Sequence, residues 1–326
     1  MKVFLTGAGG FVGSHLLDAL CDARHEVSIL LHTGNPRFIS RHLPEVTVHY
    51  GSVEDPQALG AAVSGADAVI HCAGKTKALH ASEFYRVNHA GTANMVKAAN
   101  ACRETLRRVV YISSQAVTGP GVLSRPARET DDPRPVSIYG HSKLLGETEI
   151  RQHCRVPWTI LRPAAVYGPR DTDFLPLFQK VKQRVMPLLS GAKRSVSMVY
   201  GPDVAAAVLC CLTQERGAGG IYHVAAEPPC TDEAFMREIA ARLRRRPIRV
   251  PMPRSGLYLA CLIQEILSRV TGRPSILSRQ KLPELLAPGW VCSTDRARRD
   301  LGFTAPTSLK EGVGRTLEWY RRKGWM

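Results

Sequence analysis

The chain has 326 residues, a formal net charge of +16, and is 44% hydrophobic and 22% charged. That is the composition of a soluble globular protein, long enough to bury a sizeable core in one large domain or two smaller ones. The apolar run from Leu257 to Ile263 is too short to span a bilayer, so a membrane-spanning chain is not expected.

Lys2-Val3-Phe4-Leu5 alternates in apolar character, reads as a strand and runs straight into glycines, which leaves no signal peptide. Nine cysteines without a Cys-x-x-Cys pair read as reduced thiols of a cytosolic protein. The basic clusters at Arg242, Arg244, Arg245, Arg246 and Arg249, and at Arg321, Arg322 and Lys323, lack interleaved aromatics. They read as solvated helix faces, with no nucleic-acid partner and with attraction to anionic membranes as a second expectation.

Thr6-Gly7-Ala8-Gly9-Gly10-Phe11-Val12-Gly13 follows the first strand, and Phe11, Leu16, Leu17 and Leu20 then form a helical stripe. Strand, glycine turn and helix set backbone N–H groups and a helix N-terminus against a pyrophosphate. The spacing is Gly-x-x-Gly-x-x-Gly rather than Gly-x-Gly-x-x-Gly. Residues 26–31 form the second predicted strand. Dinucleotide folds that take NAD place a carboxylate at its end, for the adenosine ribose. Between Val27 and Pro44 there is no acid, only the cationic and imidazole side chains His32, Arg37, Arg41 and His42. This favours a 2′-phosphate, hence NADP over NAD.

Further strands are expected at residues 46–50, leading to Gly51-Ser52-Val53, and at 68–74, where Cys72, Ala73 and Gly74 let a cofactor lie close. A long helix over 84–99 carries Asn88. A strand over 108–112 delivers Ser113 and Ser114 at its C-terminal end, where open α/β sheets bind ligands. A proline-rich loop over 124–136 leads to a helix bearing Tyr139 and Lys143, with Gly146 marking close packing. The sixth strand, 158–161, ends in Arg162-Pro163. Repeated β-α units predict an α/β fold: a doubly wound parallel sheet with helices on both faces.

Tyr139 and Lys143 stand one helical turn apart. A free phenol has a pKa of about 10, and an ammonium beside it favours the phenolate. A serine hydroxyl nearby, at Ser114, can hydrogen-bond a substrate oxygen. Together these are the parts for proton exchange during hydride transfer.

In the order Thr6–Gly13, His71-Cys72-Ala73-Gly74, Asn88 with Gly91-Thr92, Ser113-Ser114, Tyr139 with Lys143, Leu161-Arg162-Pro163 and Val166-Tyr167-Gly168-Pro169, the chain resembles the extended short-chain dehydrogenase/reductase, or NAD-dependent epimerase/dehydratase, family. The resemblance implies a Rossmann-type sheet with a smaller C-terminal substrate lobe, and a homodimer. It implies Ser114, Tyr139 and Lys143 as catalytic residues. It also implies cofactor contacts at Gly7, Gly10, Phe11, Val12, Gly13, Ser52, Val53, Cys72, Ala73, Gly74, Asn88, Ser113, Tyr139, Lys143, Pro163 and Val166, with His32 and Arg37 for NADP. Ser52 departs from the Asp common in that family near the adenine. Ser114 is followed by Gln115-Ala116, not the Asp-Glu pair of sugar dehydratases, and Ala165 stands where sugar epimerases carry an asparagine. His71–Ala78, Pro135–Gly140 and the segment from Leu301 to Trp325 are similar to the branch of 3β-hydroxysteroid dehydrogenases and dihydroflavonol reductases. A small hydrophobic alcohol or ketone is therefore the expected substrate, with a nucleotide-sugar epimerase or reductase and a non-catalytic dinucleotide-sensing protein as the alternatives.

The expected division is a dinucleotide domain over 1–168, rejoined by 196–225, and a substrate lobe over 169–195 and 226–326. Residues 171–189 are expected to supply a helix towards the substrate, and Thr231 to cap a helix over 231–243. The apolar 254–270 stretch reads as a helix packed on the lobe, with a lipid-facing lid as the sharper alternative. Ser308-Leu309-Lys310-Glu311 opens the last helix as a capping box. No metal site is expected.

Overall fold

The computed structural model describes all residues except Thr33, Gly34, Asn35, Arg37, Ala192 and Ile276. Strand β1 (Lys2–Thr6) is followed by α1 (Phe11–Asp22), β2 (Glu26–Leu31), β3 (Thr47–Tyr50), α2 (Pro56–Val63) and β4 (Ala68–His71). After α3 (Ala81–Phe84) and α4 (Gly91–Ala101) come β5 (Arg108–Ile112), α5 (Ile138–His153), β6 (Trp158–Pro163) and β7 (Ala165–Tyr167). The chain continues through α6 (Leu175–Lys182), β8 (Val185–Leu189), β9 (Ser195–Val196), β10 (Met198–Tyr200), α7 (Gly201–Thr213) and β11 (Gly220–Val224). It ends with β12 (Cys230–Thr231), α8 (Asp232–Leu243), β13 (Ile248–Met252), α9 (Arg254–Thr271), α10 (Leu282–Leu286), α11 (Asp295–Leu301) and α12 (Leu309–Arg322).

Seven strands form one parallel sheet in the order β11-β6-β5-β4-β1-β2-β3. Every residue of β4 and β5 is buried. Helices cover both faces, so these strands read as continuous apolar runs instead of alternating ones. On one face Leu16, Leu17 and Leu20 of α1 and Val204 and Val208 of α7 pack on Leu5, Ile29 and Ile70. On the other, Leu59, Met95, Val96 and Ile150 pack on Phe4, Val69, Val109 and Tyr111. Strand order reverses between β1 and β4, which opens a crevice at their C-terminal ends.

Three expectations on elements change. The predicted 84–99 helix is α3, a wide π-turn over Tyr85–Ala90, and α4. Single π-turns recur at functional sites because they re-aim one side chain, and this one holds Asn88. The predicted 171–189 helix spans only α6, after which the chain extends into β8 beside β13. Residues 195–200, at the start of the segment expected to rejoin the dinucleotide domain, form β9 and β10, which pair with β12 and β7 and not with the seven-stranded sheet.

A separate aromatic core gathers Tyr167, Phe178, Phe235, Trp319 and Tyr320 from β7, α6, α8 and α12. Its helices begin as their sequences direct. The Thr231 hydroxyl accepts from Ala234 N–H at 3.0 Å, and the Ser308 hydroxyl accepts from Glu311 N–H at 3.3 Å. Each satisfies one orphan donor of a helix N-terminus.

Candidate active site

The glycine turn is built by close backbone approach. Gly7 has φ +76, and a Cβ there would lie 2.7 Å from the Ala73 nitrogen. A Cβ on Gly13 would lie 1.9 Å from the Gly7 carbonyl oxygen. Both positions therefore require glycine. Gly10 caps α1 with no side-chain acceptor, and no acid occupies the first helical turn. The N–H groups at this helix start are thus free of intramolecular anions, which suits a pyrophosphate. Phe11 lies edge-on to His15, with ring centroids 5.6 Å apart, and Val12 is half-buried. These residues fit a dinucleotide.

A directional chain of hydrogen bonds ties the ends of β1 and β4 to the π-turn. Thr92 donates to the Asn88 carbonyl at 2.7 Å, so it accepts from His71 Nε2–H at 3.1 Å. His71 Nδ1 then accepts the Thr6 hydroxyl at 2.8 Å, and Thr6 Oγ1 in turn accepts Ala73 N–H at 3.1 Å. Only a neutral imidazole satisfies this chain. Burial first, and the Lys143 charge second, push the His71 pKa down to about 3. Asn88 Oδ1 accepts Lys75 N–H at 2.8 Å, while Nδ2 donates to Lys75 O at 3.0 Å and to Ser142 Oγ at 2.9 Å. Gly74 sits against Asn88, where a Cβ would stand 3.1 Å from Oδ1. Cys72 and Ala73 are half-buried beside it.

Ser113 and Ser114 leave β5 in opposite senses, as successive residues of an extended chain do. Ser113 is buried and donates to Glu147 Oε1 at 2.5 Å. The half-buried Ser114 accepts Ala116 N–H at 3.2 Å, and its hydroxyl lies close enough to the Tyr139 phenol to oppose the rise in that phenol's pKa. The structure thus brings Ser114 and Tyr139 together.

Lys143 behaves differently from the sequence expectation. Its ammonium donates to the Ile112 carbonyl at 2.6 Å and lies 4.6 Å above the Tyr111 ring. Burial pushes its pKa down to about 8. The phenol of Tyr139 is not lowered but raised. Burial dominates, the Ser114 hydroxyl opposes it, and the carboxylates of Glu284 and Asp173 add to the rise. Desolvation of the phenolate outweighs the expected effect of an ammonium one turn away.

Of the remaining cofactor candidates, Ser52 Oγ accepts Glu54 N–H at 3.1 Å. Val53 is buried against Gly91, and its carbonyl accepts from Asn94 Nδ2 at 3.1 Å. Pro163 ends β6 at the C-terminal edge of the sheet, opposite Val224, and Val166 lies in β7, which pairs with β10. His32 is exposed at the end of β2, and Arg37 lies outside the described residues. Arg41 and His42 are engaged elsewhere: each reaches Asp18 Oδ1 of α1 at 2.8 Å.

Residues 3–225 match the family described as NAD dependent epimerase/dehydratase. The chain belongs to that family. The ceramide reductase of Caulobacter vibrioides is 32% identical over 99% of this chain and 96% of its own. The 2-alkyl-3-oxoalkanoate reductase of Stenotrophomonas maltophilia is 28% identical over 97% and 98%. The structure of the Bordetella bronchiseptica enzyme WbmG in complex with NAD superposes with a TM-score of 0.80 over 100% of this chain and 96% of that one, at 20% identity.

Two features of this family member escaped the sequence reading. One is a buried polar network behind the serines. Arg162 forks onto Glu147 at 2.9 and 2.6 Å, with the two side chains 1% and 0% exposed. Arg162 also donates to Thr118 at 3.0 Å, and Thr118 meets His223 Nε2 at 2.8 Å. The signal available was Lys143 followed by Glu147 four residues on, one turn further along the same face. The other is a cover from the lobe. Lys281 Nζ sits 4.2 Å over the Tyr139 ring and pairs with Glu284 at 2.8 Å. Glu284 accepts from the hydroxyl of Ser137, the residue that caps α5 through Gly140 N–H at 3.0 Å. Contacts between residues about 140 positions apart leave no local pattern to read.

Proposed function

We propose that the chain is an NAD(P)H-dependent oxidoreductase that reduces a hydrophobic ketone, with Tyr139 as the proton donor. The observation that carries this reading is the gathering of Ser114, Tyr139 and buried Lys143 beside a glycine turn closed by direct backbone approach at Gly7 and Gly13. A nicotinamide, when bound, supplies the hydride. Ser114 and Tyr139 hydrogen-bond the substrate oxygen. Burial keeps the phenol protonated, which suits an acid acting on a ketone. Lys143 balances the phenolate left behind and holds the cofactor ribose.

Substrate chemistry is read from what flanks Ser114 and from the relatives. Gln115-Ala116 offers no carboxylate to eliminate water, and the Gln115 amide Nε2 is buried without a partner among the described residues. The names of the Caulobacter and Stenotrophomonas reductases point to substrates with long alkyl chains. A lipid bearing an oxo group near a polar head is therefore favoured, with sterol and dihydroflavonol-like ketones as neighbours in the same chemical class. The lack of any carboxylate from Val27 to Pro44 supports acceptance of the NADP 2′-phosphate.

The test is a panel of 3-oxo lipids, sterol ketones, dihydroflavonols and UDP-sugars, scored by NADPH and NADH absorbance. Tyr139→Phe is expected to lower turnover by about 10²–10⁴-fold while cofactor affinity stays within about twofold. Interconversion of UDP-sugars without net cofactor oxidation would overturn the reading in favour of an epimerase. Tighter binding of NADH than NADPH would overturn the cofactor preference.

A further inference from the structure

The helix α9 is not packed on the lobe through its apolar stripe, as the sequence led one to expect. Leu259, Ile263, Ile266, Leu267 and Val270 are between 48% and 79% exposed. At about 100° per residue they fall within roughly one third of the helix circumference. The residues α9 does bury, Leu257, Cys261 and Ser268, lie on the opposite side. The strand just before it, β13, adds Ile248 at 72% exposure.

Charge is concentrated around this face. Residues 244–281 contain eight arginines and one lysine against a single carboxylate, Glu265; Arg249 and Lys281 are further paired with Glu233 and Glu284, and the segment still carries a clear excess of positive charge. Arg254 opens α9 and Arg273 follows its end, while Arg244, Arg245 and Arg246 precede β13, and all five are exposed. No helix of the described residues is long and apolar enough to cross a membrane. An amphipathic helix with an apolar face and flanking cations instead lies in the plane of a bilayer interface.

We propose that the Leu259–Val270 face of α9 docks on an anionic lipid bilayer, with the arginines of 244–254 and Arg273 meeting the headgroups. A second copy of the chain fits this face poorly, because a two-fold contact would set one excess of positive charge against another. The docking also gives a route to the site, and that part rests on the lipid-ketone reading above. A cleft of about 380 Å³ opens between Gln264, Leu267 and Thr271 of α9 and the Lys77–Asp173 ion pair. Asp173 is one of the carboxylates acting on Tyr139. A lipid leaving the bilayer along α9 enters beside the phenol.

The experiment is flotation of the full chain with vesicles of phosphatidylcholine alone or mixed with phosphatidylglycerol. Two surface double variants, Ile266→Glu with Val270→Glu and Arg245→Glu with Arg246→Glu, are compared after circular dichroism confirms folding. The wild type is expected to float with anionic vesicles and to be released by salt, and each double variant to bind at least tenfold more weakly. Turnover of a ketone carried in the vesicles should fall in parallel, while a water-soluble 3-oxo ester is reduced at the wild-type rate. Equal flotation with neutral and anionic vesicles, or no flotation, overturns the proposal. So does a wild-type dimer that Ile266→Glu with Val270→Glu splits into monomers. Vesicle binding without reduction of any ketone leaves the docking standing and removes the proposed function; reduction without vesicle binding does the reverse.

Discussion

At the C-terminal ends of β5 and β6, charged groups are buried and joined to one another, whereas around α9 apolar side chains stand in solvent and the ion pairs are superficial. Glu147 and Arg162 are almost wholly inaccessible and share two hydrogen bonds. Glu265 of α9 bridges the largely exposed Arg269 and Arg279. A buried pair holds a fixed geometry because neither partner has water to turn to. A solvated pair gives little stability and little rigidity. The first arrangement suits a site where Ser114 and Tyr139 must keep their spacing. The second suits a surface that meets a deformable partner.

The comparison is broken most severely at Glu147. Glu147→Ala strands the Arg162 guanidinium and leaves the Ser113 hydroxyl without its acceptor. A loss of about 3–5 kcal/mol is expected in urea unfolding, whereas Glu265→Ala should leave the denaturation midpoint unchanged. Equal effects at the two sites would show that burial does not set their difference.

Acid sharpens the comparison next. His15 is held down to about 4, and His71 and His223 to about 3, each chiefly by burial. All three native values lie below the unfolded value of 6.5, so the unfolded chain binds more protons as pH falls. Their contribution is full above 6.5 and is lost as pH drops towards 3. Asp171 runs the other way. Burial raises it from 3.8 to about 7, so its contribution is full below 3.8 and is lost as pH rises through 7. The three strongly lowered histidines outweigh Asp171 and the smaller rises at Glu129, Asp203 and Asp232, which predicts a net loss on the order of a few kcal/mol between pH 7 and pH 4, read from thermal melts. A flat profile over that window would mean the histidines are already charged in the native state.

The smallest expected effect is in the lobe. A Cβ on Gly256, in the first turn of α9, meets Pro253 at 3.5 Å, an ordinary contact. Gly256→Ala should therefore raise stability by up to about 1 kcal/mol, measured as a small rise in the urea midpoint. In the glycine turn the same change has no room: Gly13→Ala must move the Gly7 carbonyl. A destabilising Gly256→Ala would place the start of α9 in a tighter setting than these contacts describe.

Much of the site could be read from local pattern. The glycine turn, the serines at a strand end and the Tyr139–Lys143 spacing are each set within a few residues, because strand period, helix period and φ-dependent steric limits act locally. The parallel sheet followed from apolar runs alternating with helical stripes. Asn88 was named as a site residue, but its π-turn was not, since one extra residue in a helical turn leaves the apolar periodicity almost unchanged.

What the chain encoded by itself is the order of its elements, its family and the residues gathered at the sheet edge. Only the tertiary structure decided the protonation of Tyr139, because burial and the distant Glu284 and Asp173 set it. It also decided that Arg41 and His42 face Asp18, that Glu147 and Arg162 form the buried pair, and that the apolar side of α9 faces outward. An amphipathic pattern states that a helix has two faces. Which face is covered depends on what the rest of the chain packs against it, and here the covering residues meet Leu257, Cys261 and Ser268, leaving Leu259, Ile263, Ile266, Leu267 and Val270 in solvent.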